Sequence, residues 1–250
     1  MFRSTWLTID VGNSSTKIGL FSGDDLLKAA NRDSAEEVLE IISAWQAETS
    51  IVRIGLCSVV PRQSDILLLK INQLSGTPVF RVSSSVNLPL QIDHTPVETL
   101  GPDRLAAACY AAHNKAGAHI IIDAGTAITI DAVNENSTFL GGVIMPGPVI
   151  ANLALTNYTA QLPEIPLSLP DGALGHSTVE ALRHGIVHGT ADAVMGAIIR
   201  IREALASTPI ITITGGWHSL LADKIPEAQI DPHLVLRGIR LLMQFNPQPA

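Results

Sequence analysis

Cysteine is scarce: Cys57 and Cys109 are the only two in 250 residues. Neither lies in a C-x-x-C spacing, which argues against a disulfide framework and a thiolate metal cage and points to two buried thiols in a reducing compartment. Positive charge is short as well, with 16 Lys and Arg against 23 Asp and Glu and a net charge of −7. Nucleic-acid binding needs clustered cations, and no basic run occurs, so no nucleic-acid partner is expected. No apolar run reaches the length of a membrane-spanning helix, and Asp10 interrupts the N-terminus too early for an apolar leader. No membrane partner and a cytoplasmic location are therefore expected.

Apolar residues, at 46% of the chain against 16% charged, suffice for one large core or two smaller ones. A mean hydropathy of +0.30 is high for a chain without membrane spans. It suggests two buried sheets plus an apolar subunit interface. Two domains of similar size are expected, over residues 1–116 and 117–250.

Two short stretches repeat one logic: Asp10-Val11-Gly12-Asn13-Ser14-Ser15-Thr16-Lys17 and Asp123-Ala124-Gly125-Thr126-Ala127-Ile128-Thr129. Each follows a β-type apolar run, Leu7-Thr8-Ile9 or Ile120-Ile121-Ile122, and precedes another. Each reads as a tight hairpin turn whose entering strand ends on an aspartate. Gly12 and Gly125, lacking Cβ, let backbone N–H groups approach a phosphate closely. Two aspartates beside phosphates require an intervening divalent cation. The plainer alternative is a pair of Asx-type turns, in which Asp, Asn and Gly are ordinary residues. An ungapped alignment of Asp10 with Asp123 places Gly12 over Gly125 and Thr16 over Thr129, which reads as an internal repeat.

The remaining pattern is βββαβαβ, restarted in the second half. Strands are expected over 5–11, 15–22 and 25–30, and Ser34-Ala35-Glu36-Glu37 reads as a capping box before a helix. A strand over 51–60, a helix from Pro61 to Leu74 and a strand from Pro78 to Val82 follow. The polar segment from Ser83 to Leu100 is long enough to be a binding loop, and an alanine-rich helix runs from Leu105 to Lys115. Beyond the second hairpin, Ser177-Thr178-Val179-Glu180 reads as another capping box, opening a helix to about Ala206 with Gly185, Gly189 and Gly196 near one face. A strand at 210–214 ends on Gly215-Gly216, and a helix over 233–245 closes the chain. His184 and His188 at i, i+4 are spaced to share a metal, although structural histidines fit as well.

Asp10-x-Gly12-Asn13-Ser14, Gly101-x-Asp103-Arg104, Asp123-x-Gly125-Thr126-Ala127, Gly141-Gly142-x-Ile144-x-Pro146-Gly147 and Thr214-Gly215-Gly216, in this order, resemble the type III pantothenate kinase family. The resemblance spans nearly the whole chain. It implies an α/β fold of duplicated actin-like ATPase (ribonuclease H-like) domains, each a mixed five-stranded sheet flanked by helices, with ATP in the cleft between them. It further implies transfer of the γ-phosphoryl of ATP to the 4′-hydroxyl of pantothenate, the first step toward coenzyme A. A homodimer, Mg2+ or another divalent cation, and a monovalent K+ or NH4+ ion come with it.

By the same resemblance Asp10, Val11, Gly12, Asn13, Ser14, Ser15, Thr16, Lys17 and Thr126 contact the phosphates, and Gly215 and Gly216 lie near the adenosine. Asp10 faces the divalent ion, directly or through water, and Asp123 holds the monovalent ion. Gly101, Pro102, Asp103 and Arg104 form the pantothenate motif, with Asp103 as proton acceptor and Arg104 on the pantothenate carboxylate, whose geometry suits a guanidinium fork. A carboxylate in a helix's first turn also complements the helix dipole. Thr178 matches a substrate-contacting position in the family, though a capping role fits it equally. Many members carry tyrosine where this chain has His94, whose imidazole can still donate a hydrogen bond. Lys17 departs from the family too, replacing an apolar residue with a cation suited to the β or γ phosphate. Two other readings are a same-fold kinase for another small hydroxylated acceptor and a catalytically inactive nucleotide-binding regulator.

Overall fold

Alternating apolar residues joined by short turns make the N-terminus an antiparallel meander, and the pattern is repeated after residue 118. In the computed structural model, which describes residues 4–247, the first meander comprises β1 (Ser4–Val11), β2 (Thr16–Ser22) and β3 (Asp25–Arg32). There follow α1 (Ala35–Glu48), β4 (Ser50–Ser58), α2 (Pro61–Ser75), β5 (Val79–Arg81), a two-residue β6 (Gln91–Ile92) and α3 (Pro102–Asn114). The sheet order is β3-β2-β1-β4-β5. Central β1 pairs antiparallel with β2 and parallel with β4. Its Leu7, Ile9 and Val11 pack with Val38, Ile42 and Trp45 of α1 and with Leu67 and Ile71 of α2.

The second repeat contains β7 (His119–Ala124), β8 (Ala127–Val133), β9 (Thr138–Pro146), α4 (Pro148–Tyr158), α5 (Thr178–Leu205), β10 (Ile210–Thr214), α6 (His218–Ala222) and β11 (Gln229–Ile230). These strands run in the order β11-β10-β7-β8-β9. Central β7 again has an antiparallel neighbour on one side and a parallel one on the other. Ile120, Ile122, Ile128, Ile130, Ile211 and Ile213 form a core with Val187, Ala191, Val194 and Ile198 of α5. The duplication is thus one of topology as well as of sequence.

The chain divides into two compact units, one holding residues up to Lys115 together with those from His233 onward, the other Ala116–Pro232. The last helix, α7 (Leu234–Phe245), therefore belongs to the first unit, which corrects the 117–250 boundary expected from sequence. The cause is packing that local pattern cannot report. An added Cβ on Gly238 would lie 2.0 Å from the Ala106 carbonyl oxygen, so α3 and α7 cross with backbone nearly touching backbone. One on Gly55 of β4 would lie 2.4 Å from Met243 Sδ. Arg53 of β4 completes the seat by donating to the carbonyls of Met243 (2.8 Å) and Asn246 (2.9 Å), which would otherwise be orphaned at the helix end.

Helix starts follow the expected chemistry at one site and depart from it at another. At α1 both halves of the capping box form, Glu37 N–H donating to Ser34 Oγ and Ser34 N–H to the Glu37 carboxylate. At α5 only half forms. Ser177 Oγ accepts the Glu180 N–H, but the Glu180 carboxylate reaches one residue further back and accepts the His176 N–H at 2.7 Å. Among the described residues no helix is long and apolar enough to cross a membrane.

Gly238→Ala forces the two helices apart, and overpacking of this kind costs about 1–3 kcal/mol. Urea unfolding monitored by circular dichroism should show that loss. Stability equal to the parent chain would refute the close crossing.

Candidate active site

In the first unit, β-sheet register assembles one row of candidate site residues. Asp10 pairs with Lys17 on the antiparallel side and with Cys57 on the parallel side. Directly opposed residues share a sheet face. Lys17, Asp10 and Cys57 therefore stand in a row across β2, β1 and β4. Beyond Asp10 the buried Val11 ends the strand, the last residue of the expected 5–11 span, and Gly12, Asn13, Ser14 and Ser15 make the turn before Thr16 pairs back. The Gly12 N–H donates to the Ser15 carbonyl at 3.0 Å, closing the turn, while Asn13 and Ser14 stand exposed.

The first turn of α3 lies near the same row. Gly101 precedes Pro102 at the helix start, and Asp103 Oδ1 accepts the Arg104 N–H at 2.8 Å, which fixes the carboxylate's orientation. An added Cβ at Gly101 would lie 2.6 Å from that oxygen, so a side chain there would have to displace the carboxylate. Cys57 is completely buried, and burial first, then the charges of Asp10 and of Asp103, push its thiol well above the ordinary range. Both carboxylates are thus close enough to act on one sulfur. Burial pushes Cys109 up to about 12.

The second unit builds an equivalent row with different chemistry. Asp123 pairs with Thr129 on β8 and with Thr214 on β10. Thr129 therefore corresponds to Lys17 rather than to Thr16, because the second turn, Gly125-Thr126, is shorter than the first. This corrects the ungapped alignment. Thr214 takes the place of Cys57, fully buried with no hydrogen-bond partner for its Oγ1.

Two segments converge on this turn. The Gly147 N–H donates to the Thr126 carbonyl at 3.0 Å, and the Trp217 N–H to the Ala124 carbonyl at 2.8 Å. Added Cβ atoms would lie 2.4 Å from Gly125 O at Gly147, and 2.5 Å from Asp123 Oδ1 at Gly215, whose φ is +90°. Open space lies over the exposed Gly216. Gly147 and Trp217 carried no role in the sequence reading. The signal for Gly147 was its place between two prolines at a strand-to-helix junction.

The remaining expected residues lie elsewhere in their units. Thr178 is exposed at the first position of α5, and the cap is supplied by Ser177. His94 lies in the loop before α3, where its Nε2 is 3.1 Å from Thr99 Oγ1. Because that hydroxyl gives its proton to the Pro96 carbonyl, His94 Nε2 acts as the donor. His184 and His188 turn ring nitrogens to the carbonyls of Glu180, Asp171 and Gly172, anchoring the loop before α5.

A divalent ion fits beside Asp10. Mg2+ keeps most of its waters and takes one or two carboxylates plus substrate phosphates, and the partly exposed Asp10 beside an open turn offers that. Among the described residues no group of three or more His, Cys, Asp or Glu forms an all-protein cage. Around Asp123 the donors are all oxygen, the carboxylate and neighbouring backbone carbonyls, a set suited to a hard cation.

Comparison with known proteins decides the family. The family model described as type III pantothenate kinase matches residues 6–200. The chain belongs to the type III pantothenate kinase family. Named relatives include a type III pantothenate kinase of Parafrankia sp., 35% identical over 97% of this chain and 99% of that protein. One from Chlorobaculum parvum is 31% identical over 96% and 94%. Among solved structures, a conserved Baf family protein from Campylobacter jejuni superposes with a TM-score of 0.63 at 24% identity, covering 96% of this chain and 98% of that one. A glucokinase from an Antarctic psychrotroph gives 0.50 at 11%, covering 99% and 100%. These likenesses bear on fold alone, and the fold is that of duplicated actin-like ATPase domains.

The thiolate is the reactive form of cysteine, so raised, buried thiols resist alkylation. Iodoacetamide at about pH 8 should label neither Cys57 nor Cys109 in the folded protein and both after denaturation, read by mass spectrometry. Rapid labelling of Cys57 in the native state would contradict its placement.

Proposed function

We propose that this chain transfers the γ-phosphoryl group of ATP to the 4′-hydroxyl of pantothenate, giving 4′-phosphopantothenate and ADP. Family membership supplies the reaction class. The observation that carries the residue roles is the placement of Asp103, oriented by its bond to the Arg104 N–H, near the row that contains Asp10 and Lys17.

The turn from Gly12 to Thr16 cradles the phosphates with backbone N–H groups and the side chains of Asn13, Ser14, Ser15 and Thr16. Lys17 adds a point charge, placed by register beside Asp10. Thr126 contacts the phosphates, and Gly215 and Gly216 leave room for the flat adenosine. Asp10 holds the divalent ion through water, and the ion when bound neutralises phosphate charge. Asp123 and nearby carbonyls hold the monovalent cation.

Arg104 grips the pantothenate carboxylate, Gly101 and Pro102 shape the helix entrance, and His94 and Thr178 contribute weaker polar contacts. Asp103 receives the hydroxyl proton as the phosphoryl group moves. Because phosphoryl transfer has a loose transition state, this carboxylate orients the hydroxyl more than it drives the reaction. Retention of Asp10, Asp103 and Asp123 favours an active enzyme over a regulator.

A homodimer is supported by apolar side chains that the second unit leaves exposed: Ile144 at 62%, Leu174 at 76% and Tyr158 at 90%. Gly185 and Gly189 on α5 also face open space, where another helix fits closely. Sedimentation velocity should give a dimer that Ile144→Asp dissociates, and a monomeric parent chain would remove this assembly. Two buried thiols without a disulfide fit a cytoplasmic setting.

Coupled ADP-release kinetics test the roles separately. Asp103→Asn should lower kcat by about 10²–10⁴-fold with ATP affinity retained. Arg104→Ala should act mainly on the pantothenate KM, and a defect confined to ATP would show that role to be wrong. Asp123→Asn should abolish stimulation by K+ or NH4+. If the parent enzyme turns over no pantothenate, the proposed substrate is wrong.

A further inference from the structure

The turn that follows β10 ends in two side chains to which phosphoryl transfer assigns no part, Trp217 and His218. Gly215 sits against Asp123 and Ala124, Gly216 is exposed with open space over it, and the Trp217 N–H donates to the Ala124 carbonyl. The Trp217 indole packs against the apolar core of the second unit. His218 then begins α6, and its ring folds back on the turn it has just left. Nδ1 lies 2.8 Å from the Gly215 carbonyl oxygen, which also receives the His218 N–H at 3.4 Å.

A carbonyl oxygen accepts and never donates, so Nδ1 carries the proton of that bond. The bond therefore fixes the tautomer. In the neutral ring Nε2 is left with a lone pair and no hydrogen, which makes it an acceptor. Nε2 is also within reach of a ligand: His218 is only partly buried, and Nε2 is not one of the buried side-chain atoms without a partner among the described residues. The same turn thus presents an exposed glycine, a carbonyl held by Nδ1 and an accessible acceptor two residues beyond that glycine.

Resting on the placement of adenosine near Gly215 and Gly216, we propose that His218 selects the base, its Nε2 accepting a hydrogen bond from the exocyclic amino group of a 6-aminopurine. Adenine carries a donor at that position, whereas 6-oxopurines such as guanine and hypoxanthine carry an acceptor. A protein acceptor pairs with the first and opposes the second, and an unmatched polar group costs more than a matched pair contributes. The glycines supply no such discrimination, because a backbone without Cβ accommodates any flat ring. The plainer role for His218 is to pin the Gly215 carbonyl and so hold the turn.

Amides that imitate one ring nitrogen at a time separate the two roles. The short amide of Asn places its NH2 near the position of Nδ1, so His218→Asn keeps a donor for the Gly215 carbonyl and deletes the outer acceptor. The longer Gln reaches the position of Nε2 and rotates to present either oxygen or NH2. Isothermal titration of the full chain with Mg2+ and either ATP or inosine triphosphate, without pantothenate, reads the preference apart from turnover. The parent chain should bind ATP about tenfold more tightly than inosine triphosphate. His218→Asn should lower ATP affinity to the inosine level with the melting temperature unchanged, and His218→Gln should narrow the gap by raising affinity for inosine triphosphate. Equal binding of the two nucleotides by the parent, or an equal loss of both in His218→Asn, would overturn the proposal and leave the nucleotide site standing. A loss in His218→Asn that follows the ribose, appearing between ATP and 2′-deoxyATP instead of between the two bases, would overturn it as well. Binding of neither nucleotide by the parent would remove the adenosine placement itself, and the proposal with it.

Discussion

The position of a single carboxylate at the carboxyl end of each central strand constrains everything around it. Asp10 and Asp123 each stand between an antiparallel neighbour reached by a tight turn and a parallel neighbour reached by a helical crossover. Antiparallel strands can be joined by a turn, while parallel strands need a long crossover. The turn brings backbone amides beside the carboxylate. In the first unit the crossovers through α1 and α2 cover the face that carries Leu7, Ile9 and Val11, leaving the carboxylate's face for other elements. The first turn of α3 lies close to that face, and so Asp103 comes near Asp10.

Topology was duplicated, yet the chemistry of the two rows diverged. Lys17, Asp10 and Cys57 occupy positions that Thr129, Asp123 and Thr214 occupy in the second unit. The first row carries a lysine beside an open four-residue turn. The second has no cation, and Gly147 and Gly215 bring backbone so near that a Cβ on either would strike the turn or Asp123. Open turns with exposed hydroxyl and amide groups suit phosphates of varying position. Dense carbonyl-lined turns suit a fixed small cation. Shared ancestry of the rows therefore says nothing about shared function.

Local chemistry was legible in the sequence to the extent that it acts locally. Alternation placed β1 and β2 within a residue or two, Ser34 and Glu37 announced α1, and Pro61 opened its helix where expected. Failures occurred where a distant group competes. Glu180 bonds His176 instead of completing its box, and the two-residue strands β6 and β11 are too short to leave a periodic signal. The slip between Thr16 and Thr129 came from unequal turns, which only strand register reveals. Motif residues of the site could be named in advance, but the approach of Gly215 to Asp123 could not, since it depends on the parallel pairing of β10 with β7.

The largest departure, the return of α7 to the first unit, bears on the chemistry as well as the boundary. Asp103 is only as well placed as α3, and α3 is seated by a crossing in which Gly238 lies against the Ala106 carbonyl. Arg53 and the paired amides of Asn87 and Asn246 hold the far end of α7 in turn. These bonds link residues more than 150 positions apart, so the closure entropy of a long loop must be offset before they form. Isolated helices of this length are marginal in water, which makes the apolar face of α7 and its tight crossing the source of that compensation. The support for the proposed proton acceptor thus comes from the last helix of the chain, far in sequence from the motif it steadies.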